Sequence, residues 1–194
     1  MVVKQENKVT YGLENVHIAP ITTIGTDGTI TYDTVFKMPG AMELKIDPAG
    51  ENKPIKADNI DFYTFNSNDG YEGKLKITNI CQEFLTKILG EIVDETTGVV
   101  TEKADAVNTP FAIMFQFEGD AKKTRHVLYY CSASRPSDGS ATKDGSSINE
   151  PELEFKASPR PLDKVVRRKV TSLDDTTVYK DWFTKPYEPT VVGA

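Results

Sequence analysis

His17 and His126 are the only imidazoles in the chain, and Cys81 and Cys131 its only thiols. A hydrolytic triad or a histidine-based metal site needs an imidazole set against partner groups. Both histidines fall in segments that alternate apolar and polar residues, where a strand histidine hydrogen-bonded beside a core is expected. The two cysteines are far apart in sequence and neither has a second cysteine near it, so no zinc spacing exists. One pair is not a disulfide framework, and reduced, buried thiols are expected. The carboxylate pairs Asp94/Glu95 and Asp174/Asp175 sit in turn and cap contexts that explain them better than general acid–base work does. The glycines are scattered singly through turns and make neither a phosphate loop nor a dinucleotide fingerprint. No catalytic residue, metal site or cofactor is expected.

Charge narrows the possible partners. With 29 acidic against 23 basic residues the net charge is -6, which argues against a protein whose main task is gripping phosphates. It remains compatible with a protein that lets nucleic acid pass. Arg160, Lys164, Arg167, Arg168 and Lys169 against Asp163 form a local basic excess. Because Val165, Val166 and Val170 are interleaved, the segment reads as a strand with a solvated basic face. If it has a partner, complementary acid on a neighbouring copy is the simplest one. No apolar run approaches the roughly 18 residues a membrane-spanning helix requires, so a transmembrane protein is not expected. Residues Met1 to Lys8 lack the apolar core of a secretory signal, and the chain is expected to be intracellular when made.

The elements that would position any site are mainly β. The chain of 194 residues reads as a single domain of 1–194. Leu13 to Ile18 should be a strand ending at Pro20, which cannot donate to a ladder. Thr26-Asp27-Gly28-Thr29 should be a tight turn into an extended stretch from Thr29 to Lys37. After Pro39-Gly40, the segment Ala41 to Ile46 alternates with Met42, Leu44 and Ile46 on one face, and Asp47 to Pro54 reads as a polar loop. Asn59 to Phe65 and Tyr71 to Ile77 read as strands about a turn. Ile80, Cys81, Phe84, Leu85, Ile88 and Leu89 follow the helical period, so a helix over 79–90 should lie on a sheet, capped by Thr78 or Asn79 and stopped by Gly90.

Further on, Asp94 to Gly98 reads as a turn between short strands. Phe111 to Phe117 suits only a central strand buried on both faces, paired with a strand over Thr124 to Ala133. Residues 134–150 read as a mobile loop, and Glu152 to Ala157 and Leu162 to Val170 as strands. A short C-terminal helix capped by Asp174-Asp175 should carry Val178, Tyr179, Trp182 and Phe183. Two regions are harder to place in a lone domain: the interrupted stretch Thr29 to Ile46, and the aromatic tail with Trp182, Phe183 and Tyr187. Both are candidates for burial on another subunit.

The order Tyr11 to Thr22, then Pro39-Gly40-Ala41, Ala57-Asp58-Asn59 and Asn68 to Gly73 resembles the major tail protein of long-tailed, non-contractile bacteriophages of Gram-positive hosts. The resemblance continues through Ile88-Leu89-Gly90, Pro110-Phe111-Ala112, Phe115 to Gly119 and Arg125 to Pro136. It closes with Val178-Tyr179, Trp182-Phe183 and Tyr187-Glu188-Pro189. It implies a β-sandwich flanked by one helix, with a long β-hairpin arm, assembled as hexameric rings that stack into the tail tube of the virion.

On that resemblance the arm is 29–46, with Thr34, Val35, Phe36, Met38, Pro39, Gly40, Met42 and Leu44 at a subunit interface. Trp182, Phe183 and Tyr187 would form a second interface, and Glu72, Glu118 and Asp120 would be acids facing the lumen. The partners implied are further copies of the chain and the tape measure, tail terminator and distal tail proteins, with genomic DNA passing through unbound. The alternative reading is a solitary carbohydrate-binding sandwich using Tyr63, Tyr71 or Trp182. A hydrolase built on His17 or His126 is the remaining one.

Overall fold

The computed structural model describes residues 9–189 except 27, 138–149 and 175. Asp27 of the first turn, Asp175 of the C-terminal cap and residues 138–149 of the 134–150 loop therefore lie outside the described residues. The chain is mainly β, with two short helices. The strands are β1 (Leu13–Ile24), β2 (Ile30–Tyr32), β3 (Phe36–Lys37), β4 (Ala41–Ala49), β5 (Asn52–Ala57), β6 (Ile60–Asn66) and β7 (Gly70–Ile77). After α1 (Gln82–Lys87) come β8 (Ile92–Val93), β9 (Val100–Thr101), β10 (Phe111–Phe117), β11 (Arg125–Ala133), β12 (Glu152–Ala157), β13 (Arg167–Val170) and α2 (Thr176–Asp181).

Nine strands form one antiparallel sheet in the order β2-β1-β10-β11-β12-β7-β4, with β3 added to β1 and β13 to β11. The centre is β10, whose residues Phe111 to Phe115 are all buried, between β1 and β11. The sheet splits along β11. Residues 125–128 pair with β13, whereas 131–133 pair with β12. This lets β12, β7 and β4 fold over one face in a sandwich-like arrangement.

Between these halves lies the larger core, with Val16, Ile18, Met38, Leu75, Ile77, Phe84, Phe111, Phe115 and Phe155. Helix α1 closes it with Phe84, Ile88 and Leu89, the side the helical period marks out. Only 82–87 of the expected 79–90 is helical; Cys81 is the N-cap without a side-chain cap bond, and Gly90 takes φ +76. Chain reversal there needs the left-handed region that glycine reaches at no steric cost. A second core on the opposite face of β1, β10 and β11 holds Ala19, Ala112, Met114, Val127, Tyr129, Val170 and Trp182.

Three departures from the sequence reading have local causes. Strand β1 does not end at Pro20; its ladder with β10 ends there, opposite Phe111, and the strand runs on to pair with β2. A bulge between Ala41 and Glu43 shifts the β4 register by one residue. Such a slip moves a side chain to the other face, so Met42 is 47% exposed while Leu44 and Ile46 still pack on the core. Of the expected strand over Leu162 to Val170 only 167–170 pairs, because Leu162 and Lys164 take positive φ in a turn.

Candidate functional site

The stretch 29–46 is not a projecting hairpin. Strands β2 and β3 pair with β1, and β4 pairs with β7. Met38 is 1% exposed in the main core, Phe36 and Leu44 pack against that core, and Val35 packs against the second one. Thr34 and Pro39 stay exposed and Gly40 lies in a turn at φ +83. This chain's own sheets satisfy the burial that seemed to call for another subunit.

The projecting element is the next one. Strands β5 and β6 pair only with each other and extend the β4–β7 pair beyond Ala49 and Gly70, linked by Ser67 N to Glu51 O at 3.0 Å and Asp69 N to Ala49 O at 2.9 Å. The tip is the two-residue turn Asp58-Asn59, at φ 51 and 62, the pair of left-handed residues a tight hairpin prefers. Ile55, Ile60, Phe62, Tyr63 and Phe65 are all more than half exposed. Alternation places Ile55, Tyr63 and Phe65 on one face and Ile60 and Phe62 on the other. Among the described residues nothing covers either apolar face of this ribbon, and isolated two-stranded ribbons are marginal in water. The polar loop expected at Asp47 to Pro54 is in fact the end of β4 and the start of this ribbon.

Below the ribbon, the outer face of β4, β7 and β12 is a grid of charges. Cross-strand rows run Glu43–Lys76–Glu152, Lys45–Lys74–Glu154 and Asp47–Glu72–Lys156. Lys74 Nζ bridges Glu152 at 3.1 Å and also contacts Glu154, and Lys76 Nζ meets Glu43 at 3.2 Å. Five carboxylates face four ammonium groups, so three of the lysines are already engaged by acid. Beyond this grid β4 has no strand partner on its other side among the described residues, and an open edge is a template for another chain.

Of the three acids expected in a lumen, Glu72 belongs to this grid and Glu118 is exposed elsewhere, after β10. Asp120 is 7% exposed and is not a lumen candidate. Its carboxylate accepts from Lys122 N and Thr124 N, each at 2.9 Å, and so shapes the β10–β11 turn.

The C-terminal aromatics cover their own chain. Trp182 is 2% exposed and donates from Nε1 to His126 O at 3.3 Å; Tyr187 stacks on it at 6.0 Å between ring centroids, and Phe183 stacks on His17 at 4.9 Å. Trp182 is too buried to serve as a sugar platform or a subunit contact, whereas Phe183 and Tyr187 stay half-buried. Asp174 Oδ2 accepts from Thr171 N and Oγ1, both at 2.7 Å, and so closes the turn before α2.

The basic segment is a solvated face only in part: Lys164 and Lys169 are exposed, but its arginines turn inward. Arg160 is 3% exposed and contacts both Asp163 and Glu188, and Arg168 reaches Glu188 at 3.5 Å. The acid expected from a neighbouring copy comes from this chain's own C-terminal segment. Sequence missed the pairing because the partner lies beyond α2; a cationic cluster among valines was the available signal that some acid must be found.

Both histidines serve the packing. His17 shares Nδ1 with Asn15 O at 2.8 Å. His126 Nδ1 lies 2.9 Å from Arg167 Nη2, and since guanidinium only donates, that nitrogen accepts. Burial first and Arg167 second hold the His126 pKa down at about 4. Cys131 is buried and Cys81 half-buried, both free thiols, and burial pushes both thiols up, away from reactivity.

No protein-family model matches the sequence. No curated protein is significantly similar to it.

Proposed function

We propose that this chain is a structural subunit that polymerises with copies of itself into stacked hexameric rings, forming the tube of a phage tail through which DNA is delivered. The observation that carries the reading is the β5–β6 ribbon, whose two apolar faces have no cover among the described residues. It supplies the arm that the resemblance calls for, at 52–66 instead of 29–46. The free edge of β4 supports the same reading, because pairing edges around a ring removes them.

The charged grid on β4, β7 and β12 suits a conduit wall. Phosphate binding gains its strength when free lysine and arginine neutralise phosphates and release the cations condensed on the nucleic acid. Lysines engaged by neighbouring carboxylates, on a chain of net charge -6, leave little for a phosphate backbone to hold, so DNA slides. The tape measure, terminator and distal tail proteins are the further partners this role entails, and the virion tail is the destination. No catalytic step is assigned.

Negative-stain images of the purified full chain test the proposal. Rings or tubes are expected, and their loss when residues 53–65, the Asp58-Asn59 tip included, are replaced by a short Asn-Gly turn between Asn52 and Asn66. A monodisperse monomer at all concentrations, also with tail initiator proteins added, would count against it.

A further inference from the structure

Strands β4–β5 and β6–β7 are the two legs of one long hairpin, bent where the ribbon leaves the body. The last body pair is Ala49 opposite Gly70, and the first ribbon pair is Asn52 opposite Asn66. Between them one leg has Gly50 and Glu51, whereas the other has Ser67, Asn68 and Asp69. An extra residue on one strand is a bulge, which bends the pair and tightens its twist. The direction of the arm is decided at this elbow.

The elbow carries its own bonding beyond the two ladder bonds that cross it. Glu51 N donates to the Ser67 hydroxyl oxygen at 2.9 Å, and that hydroxyl donates on to Asp69 Oδ2 at 3.4 Å. Gly70 N donates to Asn68 Oδ1 at 3.1 Å. The side chains of all three residues on the longer leg are therefore spent on the bend itself. Two glycines permit its tightness, with φ +145 at Gly50 and +95 at Gly70, a region that other residues seldom adopt. A Cβ at Gly50 would collide with Ser67 O, and one at Gly70 with Ala157 O at the end of β12. Such close backbone approach is what a strand glycine often marks. The approach of Ala157 braces the elbow against a third strand, so the body of the molecule holds the bend.

We infer that Gly50, Ser67 and Gly70 are positioning residues that aim the β5–β6 arm before one copy meets another. This inference rests on the proposed self-assembly and adds that the arm's direction, and with it the geometry of contact between copies, is encoded in the single chain. The exposed apolar residues of the ribbon belong to neither core, so the elbow is the element that fixes where the ribbon points. An arm already set in its bound direction does not have to be ordered on association, and preorganisation of that kind strengthens binding by lowering its entropic cost.

Distances between two spin labels test it in the full chain. Labels at Lys56→Cys on the arm and Glu83→Cys on α1, in a Cys81→Ser background, report the arm's direction by pulsed electron paramagnetic resonance. Tubes are measured with labelled chain diluted into unlabelled chain. One narrow distance population is expected, the same in monomer and in tubes. Gly50→Ala and Ser67→Ala are each expected to shift or broaden it and to reduce sedimentable tubes at least tenfold, with the urea midpoint of the body unchanged. Ser67→Thr, which keeps the hydroxyl, should retain both the distance and the tubes. A broad population in the parent monomer, alanine variants that keep the parent distance, or a variant with a broadened distance that still builds tubes at the parent yield would overturn the elbow as the aiming device and leave self-assembly standing. A parent chain with the narrow population that never assembles overturns self-assembly alone.

Discussion

The Tyr32 hydroxyl donates to Glu188 Oε1 at 3.0 Å, joining β2 to a residue near the C-terminus. The same carboxylate also receives Arg160 and Arg168, so three elements meet on one side chain. Burial and then the Glu188 charge push the Tyr32 pKa up, which keeps the phenol neutral as a donor. This junction fastens the C-terminal segment over the second core. Removing one carboxylate leaves the nearly buried Arg160 with only Asp163. Glu188→Ala is expected to lower unfolding stability by about 2 kcal/mol, discounted from the larger cost of a fully buried pair because Glu188 is partly exposed. Urea unfolding of the parent and variant measures it, and a change under about 0.5 kcal/mol would mean the junction does not hold the segment.

His126 makes stability depend on pH with a defined sign. The folded ring stays neutral down to about pH 4, whereas an unfolded histidine protonates near pH 6.5. Between these values the unfolded state binds more protons, so stability falls as pH falls through the window, by up to about 1.4 kcal/mol per unit. Unfolding of the parent and His126→Gln at pH 7.5, 6 and 5 separates this from carboxylate effects. The parent should lose more stability over the range; parallel losses would show that His126 is not held neutral.

Met38 and Met42 should behave oppositely. Met38 is 1% exposed in the main core and Met42 is turned out by the bulge. Met38→Ala is expected to cost about 3 kcal/mol and Met42→Ala no more than about 0.5. Equal costs in thermal or urea unfolding would contradict the β4 register.

Gly73 is fixed by the ring of its cross-strand neighbour. A Cβ there would sit 2.2 Å from Phe155 Cζ, and the ring fills the space above the glycine. Gly73→Ala is expected to destabilise by about 1–3 kcal/mol through overpacking, and Gly73→Ala combined with Phe155→Leu to recover part of it. A neutral single substitution would mean the ring is free to move aside.

Legibility in the sequence followed burial. Phe111 to Phe117 announced itself as the central strand because both faces are buried, and Tyr71, Gly73, Leu75 and Ile77 alternated because one face of β7 is. Of the ribbon, β6 was legible as the strand Asn59 to Phe65, but β5 escaped for the converse reason: Glu51-Asn52-Lys53-Pro54 is polar and proline-bearing, since that strand lies outside any core of its own chain and has no burial to impose a period. Met42 was misplaced because a one-residue bulge leaves the alternating pattern intact while inverting a side chain. Arg160 and Glu188 could not be paired from sequence, since only the path of α2 and the tail brings them together. The charged grid was hidden for a related reason: its rows are made across three strands, and only Glu72 among its acids was singled out.

A three-dimensional cryo-EM reconstruction of the assembled particle tests self-assembly through this surface most directly. The expected map is a hollow cylinder of this chain, with Lys74, Lys76, Glu72 and Glu154 lining the bore and the 52–66 ribbon buried between copies. A cylinder wall built from a different chain, or a ribbon left in solvent on the assembled particle, would contradict it.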